Sequence, residues 1–405
     1  MINPIFDKLI SYASKNIAVS VEGDPNIINL SFGEPDFGPP EYAVSELSRV
    51  LQVTNVLDNL KKYEVSRGSE NLRRGIVKYY LKNYKLEYDS KTQILVTHGG
   101  SGGLTMALLA CSQSGDEILV PDPSYTLYER LVSILGRTPK KVQRLVNKGF
   151  GYDLDSIVKS ITAKTRALII NSPENPTGYV CSIDEMKKLV EICQDAGIWL
   201  IHDEVYDQFA FYERHTPASL LTNSFDNVIL VNSLSKKFGV PGLRIGWIAA
   251  DEKLISAAAK SQDYSSMALN KTSEQIAEIL LTSTESMQWF ANIKTLLSQR
   301  LHKLYSALYG TSVFEFPCIP RGGMFLFPRV SGLAYLISGN NSDKAGGEVV
   351  STWLLNQIKV ATVPGSVYGT ESKDFIRIVC CVENTTLDAA TTRILDAIHK
   401  LVNKL

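Results

Sequence analysis

Between residues 94 and 250 the chain alternates short apolar runs with amphipathic segments, and no other feature restricts its fold as strongly. The runs are ILVT (94–97), EILVP (117–121), ALIIN (167–171), IWLIHDE (198–204) and NVILVNS (227–233). Each reads as a buried strand bounded by polar residues. Between them, as in 183–196, apolar residues recur at Met186, Leu189, Val190 and Cys193, the spacing of one helical face. Strands alternating with helices build βαβ units, and therefore a mainly parallel sheet covered by helices. With 405 residues the chain has enough length for this and for a second domain. No internal repeat or low-complexity stretch interrupts it. A long helical pattern runs from about 287 to 310 through Trp289, Ile293, Leu297 and Leu301. After it come PRGGMFLFP (320–328) and shorter strand-like runs, which read as a second, smaller domain.

Composition removes several functional classes. Forty-two basic residues balance forty-two acidic ones, so there is no long-range field to collect nucleic acid or an anionic membrane. No apolar run approaches the ~18–20 residues that a membrane helix needs. The opening MINPIFDKLISYASK lacks an apolar segment ending in a small-residue cleavage site, so no secretory signal is expected and a cytoplasmic protein is. The six cysteines form no CxxC pair and mostly sit in apolar patterns, as buried thiols in a reducing compartment would. The five histidines show no ligand spacing. His202-Asp203-Glu204 looks like a ligand triplet, but successive strand residues point to opposite faces and do not converge on one ion, so no metal is expected.

In open α/β sheets ligands bind beyond the carboxyl ends of the strands. Most of the chemistry-bearing segments follow an apolar run directly. SLSKKFGVPGLRIGW (233–247) places a Ser three residues before a Lys and an Arg eight residues after it, among glycines. A lysine between an apolar run and a glycine turn is partly desolvated, which disfavours the ammonium and frees the amine to attack a carbonyl. The hydroxyl and the planar guanidinium suit a phosphate. A carbonyl-trapping lysine beside a phosphate site points to pyridoxal phosphate (PLP). A solvated basic turn around adjacent Lys236 and Lys237 is the competing reading.

Other segments carry weaker signals. VTHGGSGGLTMALLA (96–110) is a strand, a glycine turn and a helix start, which is either a plain turn or an anion site. VPDPSYTLYERL (120–131) offers Tyr125, for ring stacking or for the core. NSPENPTG (171–178) ends in a strong turn signal, and Asn175 either holds that turn or donates to a ligand. HDEVYDQF (202–209) follows a strand and brings a carboxylate and a phenol. In FIRIVCC (375–381) one arginine interrupts an apolar strand, either as an ion-paired edge residue or as a carboxylate clamp.

Taken in order from about residue 30 to 381, these segments resemble the class I/II aminotransferases, the fold-type-I PLP-dependent enzymes. The lysine segment and NPTG carry most of the resemblance. It implies a three-layer large domain with a mainly parallel mixed sheet, over 46–288, and a smaller α/β domain made from 1–45 and 289–405. The spacing selects Lys236 over Lys237 as the lysine that holds PLP as a Schiff base, since counting from Lys237 would put Leu234 and Ile245 in the hydroxyl and arginine positions. Ser233 and Arg244 are then phosphate ligands, with Gly100 and Ser101 at the glycine turn. Tyr125 lies on the pyridine ring, Asp203 pairs with the ring nitrogen, and Asn175 and Tyr206 donate to the ring oxygen. Arg377 grips the substrate α-carboxylate, and Gly33 in LSFGEPDF lets backbone approach it. Tyr63 reaches the phosphate of a neighbouring subunit, which implies a homodimer with composite sites.

The function so implied is transfer of an amino group between an L-α-amino acid and a 2-oxo acid, with Lys236 as the base that carries the proton. The alternative is another fold-type-I reaction on an amino acid: a β/γ-lyase, a cyclase or an oxidative PLP enzyme. Relatives specialised for aspartate often place a cation where this chain has Ser101, so a neutral or apolar side chain is the expected substrate preference.

Overall fold

A computed structural model describes residues 6, 13–53, 61, 63–223, 225–339 and 343–403. Its strands are β1 (Ile28–Asn29), β2 (Ile94–His98), β3 (Glu117–Asp122), β4 (Thr138–Leu145), β5 (Gly151–Tyr152), β6 (Thr165–Asn171), β7 (Trp199–Asp203), β8 (Val228–Ser233), β9 (Ile245–Ala249), β10 (Phe325–Leu326), β11 (Val360–Ala361), β12 (Val363–Pro364) and β13 (Ile376–Val379). Eight of them form one sheet in the order β2-β9-β8-β7-β6-β3-β4-β5. β9 runs antiparallel to both its neighbours, β2 and β8, and β5 runs antiparallel to β4. The other pairings are parallel. All five apolar runs are strands of this sheet.

The strand period of two divides the sheet into two cores. On one face Ile94, Val96, Leu168, Ile170, Leu200 and Leu230 pack with the helices Glu70–Tyr84, Ile183–Asp195 and Lys271–Thr282. Met186, Leu189, Val190 and Cys193 are the buried stripe of the second of these. On the other face Leu95, Ile118, Val120, Ile169, Ile201 and Val231 pack with Gly99–Cys111 and Glu252–Ser265. The result is a three-layer α/β unit.

The sequence reading omits three strands of this sheet, of which β5 is only the two residues Gly151–Tyr152. β4, TPKKVQRL, lies near the edge and buries only part of one face, so it shows no continuous apolar run. β9 is wholly buried but five residues long, and it lies inside the lysine segment.

The two ends of the chain meet in a separate core. Ile28 and Asn29 pair in parallel with Val360 and Ala361, and β10, β13 and β12 form a small antiparallel sheet. The helix Ser286–Tyr309 links the cores. Phe290 packs with the large sheet, whereas Leu301, Leu304 and Leu308 pack with Leu30, Leu326, Ile376 and Ile378. All six cysteines are free thiols, four of them buried.

Candidate active site

The parallel strands β6, β7 and β8 end side by side, and Asn171, Asp203 and Ser233 are their last residues. Past these ends lies a cavity of about 240 Å³. Gly100, Ser101, Tyr125, Asn175, Asp203, Tyr206, Ser233, Lys236 and Arg244 all line it. Segments far apart in the sequence converge here, most of them because they begin where a strand ends.

The adjacent lysines point to different places. Both lie in the one-turn helix Leu234–Lys237. Lys236 lines the cavity, and its Nζ donates to the Gly33 carbonyl at 2.7 Å. Burial holds its pKa below the usual lysine value. Lys237 is fully buried in the opposite direction and pairs with Asp207 at 2.8 Å.

One end of the cavity is an anion corner. The helix Gly99–Cys111 directs its unpaired N–H groups there, and the Ser101 hydroxyl, Ser233 and Arg244 join it. Arg244 adopts a left-handed backbone (φ +54°), a strained conformation of the kind found at binding sites. Its guanidinium lies over Gly99, where a Cβ would stand 2.6 Å from Nη2. Ser233 Oγ donates to the Ile245 carbonyl and accepts from Ser235 N–H at 3.1 Å, so its hydroxyl is held by both sides of the loop.

Asp203 sits opposite. Its carboxylate accepts from the Tyr128 hydroxyl at 2.8 Å and from Val205 N–H at 3.2 Å. Burial pushes its pKa up to about 6. Among the described residues no cation pairs with it. The converse holds at Arg377, which is buried, donates to Asn175 Oδ1 at 3.0 Å and to the Ser31 carbonyl at 2.6 Å, and leaves its Nε without a partner. No carboxylate of the described residues pairs with it. The rings of Phe325 and Tyr368 lie 4.6 and 5.2 Å from its guanidinium and keep it flat. A Cβ on Gly33 would stand 2.8 Å from the Phe325 ring, so the segment before β10 closes only over a glycine. Arg377 and Gly33 therefore adjoin the cavity through Asn175 and Lys236. Tyr63 is apart from all of these, 82% exposed.

Among the lining residues that escaped the sequence reading, three stand beside the predicted polar groups. Tyr128 stands one helical turn beyond Tyr125 and meets its ring edge-on, and that spacing was the available signal. Asn171 orders the floor, donating to the Asp203 carbonyl and accepting from Asn175 N–H. Ser235 immediately precedes the lysine.

The triplet behind Asp203 needs a correction. Alternation does turn Asp203 away from His202 and Glu204, but it leaves those two on one face, and His215 joins them within 4.8 Å. They still make a poor cation site. His202 Nδ1 accepts from Ala218 N–H, so its proton is on Nε2 and no lone pair faces the cluster. Burial drives His202 well below the usual imidazole range, which keeps it neutral.

The model of the family described as aminotransferase class I and II matches residues 25–394. The chain belongs to that family. It is 31% identical to the aspartate aminotransferase of Thermotoga maritima over 97% of this chain and 96% of that one. It is 30% identical to a probable aspartate/prephenate aminotransferase of Aquifex aeolicus, over 93% and 92%. The crystal structure of the Thermotoga enzyme superposes with a TM-score of 0.85 over 98% of this chain and all of that one, at 28% identity. An N-succinyldiaminopimelate aminotransferase from Mycobacterium tuberculosis gives 0.86 over 97% and 99%, at 26% identity. This family member is a PLP-dependent aminotransferase. Its residues fit that cofactor: the anion corner suits the phosphate, and the uncompensated Asp203 carboxylate suits a protonated ring nitrogen.

Proposed function

We propose that Lys236 is the cofactor lysine and proton carrier of this aminotransferase, and that Arg377 receives the α-carboxylate of an L-α-amino acid or 2-oxo acid. The observation that carries the proposal is a pair of complementary vacancies in charge. Among the described residues a buried carboxylate has no cation and a buried guanidinium has no anion, and the part-buried lysine lies in the same site. Burying an ion without a partner is costly, so two such sites of opposite sign are best explained by ligand groups that neutralise both.

Ser233, Arg244, Gly100 and Ser101 hold the phosphate. Tyr125 would cover one face of the ring, and Asn175 and Tyr206 would donate to its oxygen. Bound PLP supplies a carbonyl that condenses with the amino group and a protonated ring that withdraws electrons from Cα. The Asp203 carboxylate would pair with the ring nitrogen and so keep it protonated. The Lys236 amine, its ammonium form disfavoured by burial, would serve as the base that takes up and returns the Cα proton. Arg377 fixes two carboxylate oxygens in a plane and so orients the Cα–H bond toward Lys236.

Among the described residues, Lys236 and Arg244 are the only cations lining the cavity. With both committed, a neutral or apolar side chain is the preferred substrate, although several relatives are named for aspartate. The exposed Tyr63 belongs to the site of a second copy in a homodimer. The division into 46–288 and the two chain ends is supported by the separate core around β1 and β11. Balanced charge and the free thiols support a cytoplasmic location.

Borohydride reduction followed by peptide mapping tests the lysine. Label on Lys236 is expected, and label on Lys237 refutes the assignment. Lys236→Ala loses turnover by several orders of magnitude while phosphate contacts still retain PLP. A screen of twenty amino acids against 2-oxoglutarate and pyruvate tests the pocket, and aspartate as the best donor overturns the neutral preference while leaving Lys236 and Arg377 in place.

A further inference from the structure

Behind the strands that carry the site lies a second polar layer, fully buried and without contact to the cavity. Lys237 Nζ pairs with Asp207 at 2.8 Å, donates to Asn232 Oδ1 at 2.7 Å, and stands 4.6 and 5.2 Å from the rings of Tyr79 and Trp247. Asp207 also accepts from Tyr84 at 2.9 Å and from Tyr79. Asn232 Nδ2 reaches Asp207 at 3.3 Å and Glu204 at 3.1 Å. Against the cost of burial, Lys237 beside it holds Asp207 below its usual carboxylate range.

The register of this layer is what gives it meaning. Lys237 follows Lys236, Asp207 follows Tyr206, Glu204 follows Asp203, and Asn232 precedes Ser233. Each buried polar residue is the chain neighbour of a residue that faces the cavity. The bonds among the four tie the end of β7, the turn after it, the end of β8 and the one-turn helix to one another. A helix of four residues has almost no stability of its own, so its orientation depends on such ties.

We propose that the Lys237–Asp207–Asn232 cluster positions the catalytic face from behind, fixing the direction of Lys236 relative to Tyr206. The inference rests on the site assignment above. A buried ion pair is a weak source of stability, because desolvation offsets its attraction, but it fixes geometry well. Lys237, Asp207 and Asn232 are thus positioning residues, and none of them touches substrate or cofactor.

The test compares the parent with Lys237→Met/Asp207→Leu, which removes both charges together, and with each single change. The singles each strand one buried charge and lower Tm. The double variant leaves none stranded and keeps Tm near the parent's. Its kcat falls about tenfold or more with KM within about twofold, the pattern for lost orientation rather than lost binding. In the same variant the pH midpoint of the bound cofactor's visible absorbance moves by about half a unit or more, because Lys236 and Tyr206 no longer hold their relative geometry. A folded double variant with parental kcat and midpoint overturns the proposal. If the double does not fold, Asp207→Asn, which keeps the shape, decides instead: parental kcat and midpoint overturn the proposal, and a loss in kcat alone supports it. Borohydride label must remain on Lys236 throughout; label elsewhere sinks the site assignment itself, not only its support from behind.

Discussion

Asp203 shows what one side chain contributes before any ligand binds. Burial raises its pKa from 3.8 to about 6 despite two hydrogen bonds. The folded form therefore holds the proton more tightly than the unfolded chain. Stability from this group is fully present below about pH 3.8 and is lost as pH rises through about 6. A shift of about two units corresponds to roughly 3 kcal/mol at neutral pH, as an upper bound for the cofactor-free protein. Asp203→Asn has no such loss. The difference in Tm between cofactor-free parent and Asp203→Asn should therefore grow in the variant's favour between about pH 4 and pH 7. Other buried carboxyls, such as Glu174 and Glu274 with pKa values of about 7, titrate alike in both proteins and cancel. Parallel curves would show that Asp203 is not penalised by burial. On the proposed assignment the order should reverse with PLP bound, since the ring nitrogen would compensate the carboxylate and could not compensate an amide to the same extent.

At the level of elements, the fold was readable wherever burial left a mark on the sequence. The five apolar runs announce strands because both faces of a central parallel strand are covered. β4 gives no such mark, with Lys140 half-buried on one face and Lys141 exposed on the other. The reversed direction of β9 is invisible for a different reason: a buried strand has the same composition whichever way it runs. The site was legible where a residue's spacing from a strand end set its place, as for Asp203 and Lys236. It was not where a partner arrives from a distant loop, as His215 does for Glu204, or from the next helical turn, as Tyr128 does for Asp203. One junction between elements gives a test. Gly99 opens its helix at φ +71°, and a Cβ there would press on the Arg244 guanidinium. Gly99→Ala should displace that group and weaken PLP binding about tenfold, or about 1.4 kcal/mol. Pyridoxal, which lacks the phosphate, should lose little. Equal losses for PLP and pyridoxal in equilibrium dialysis would remove Arg244 from the phosphate.

At the scale of the whole molecule the exposed apolar side chains are scattered, but a few belong to segments tied to the turn at Tyr63, where Lys271 pairs with Glu64 at 3.8 Å. The turn that follows Tyr63 lies against the helix Glu252–Ser265, where Gln262 donates to the Ser66 and Val96 carbonyls. Val65, Tyr264 and Met267 are more than half exposed in that region, and Tyr264 almost completely so. Large apolar groups left this open on one side of a molecule mark a contact surface. In the homodimer proposed above, a second copy related by two-fold symmetry would cover the patch with itself and carry each Tyr63 toward the other copy's phosphate corner. Mixing Tyr63→Ala with Lys236→Ala then separates the chains' contributions. In a mixed dimer one site holds an intact Lys236 from the first chain and an intact Tyr63 from the second. With random exchange of equal amounts, half the dimers are mixed and each has one whole site, so activity should rise to about a quarter of the parent's above the Tyr63→Ala background. Arg377→Ala mixed with Lys236→Ala should restore nothing, because both residues serve the same site from the same chain. Restoration in the second mixture, or none in the first, would place Tyr63 and Arg377 differently from the arrangement proposed here. A sedimentation measurement that finds a fully active monomer would remove the shared site altogether.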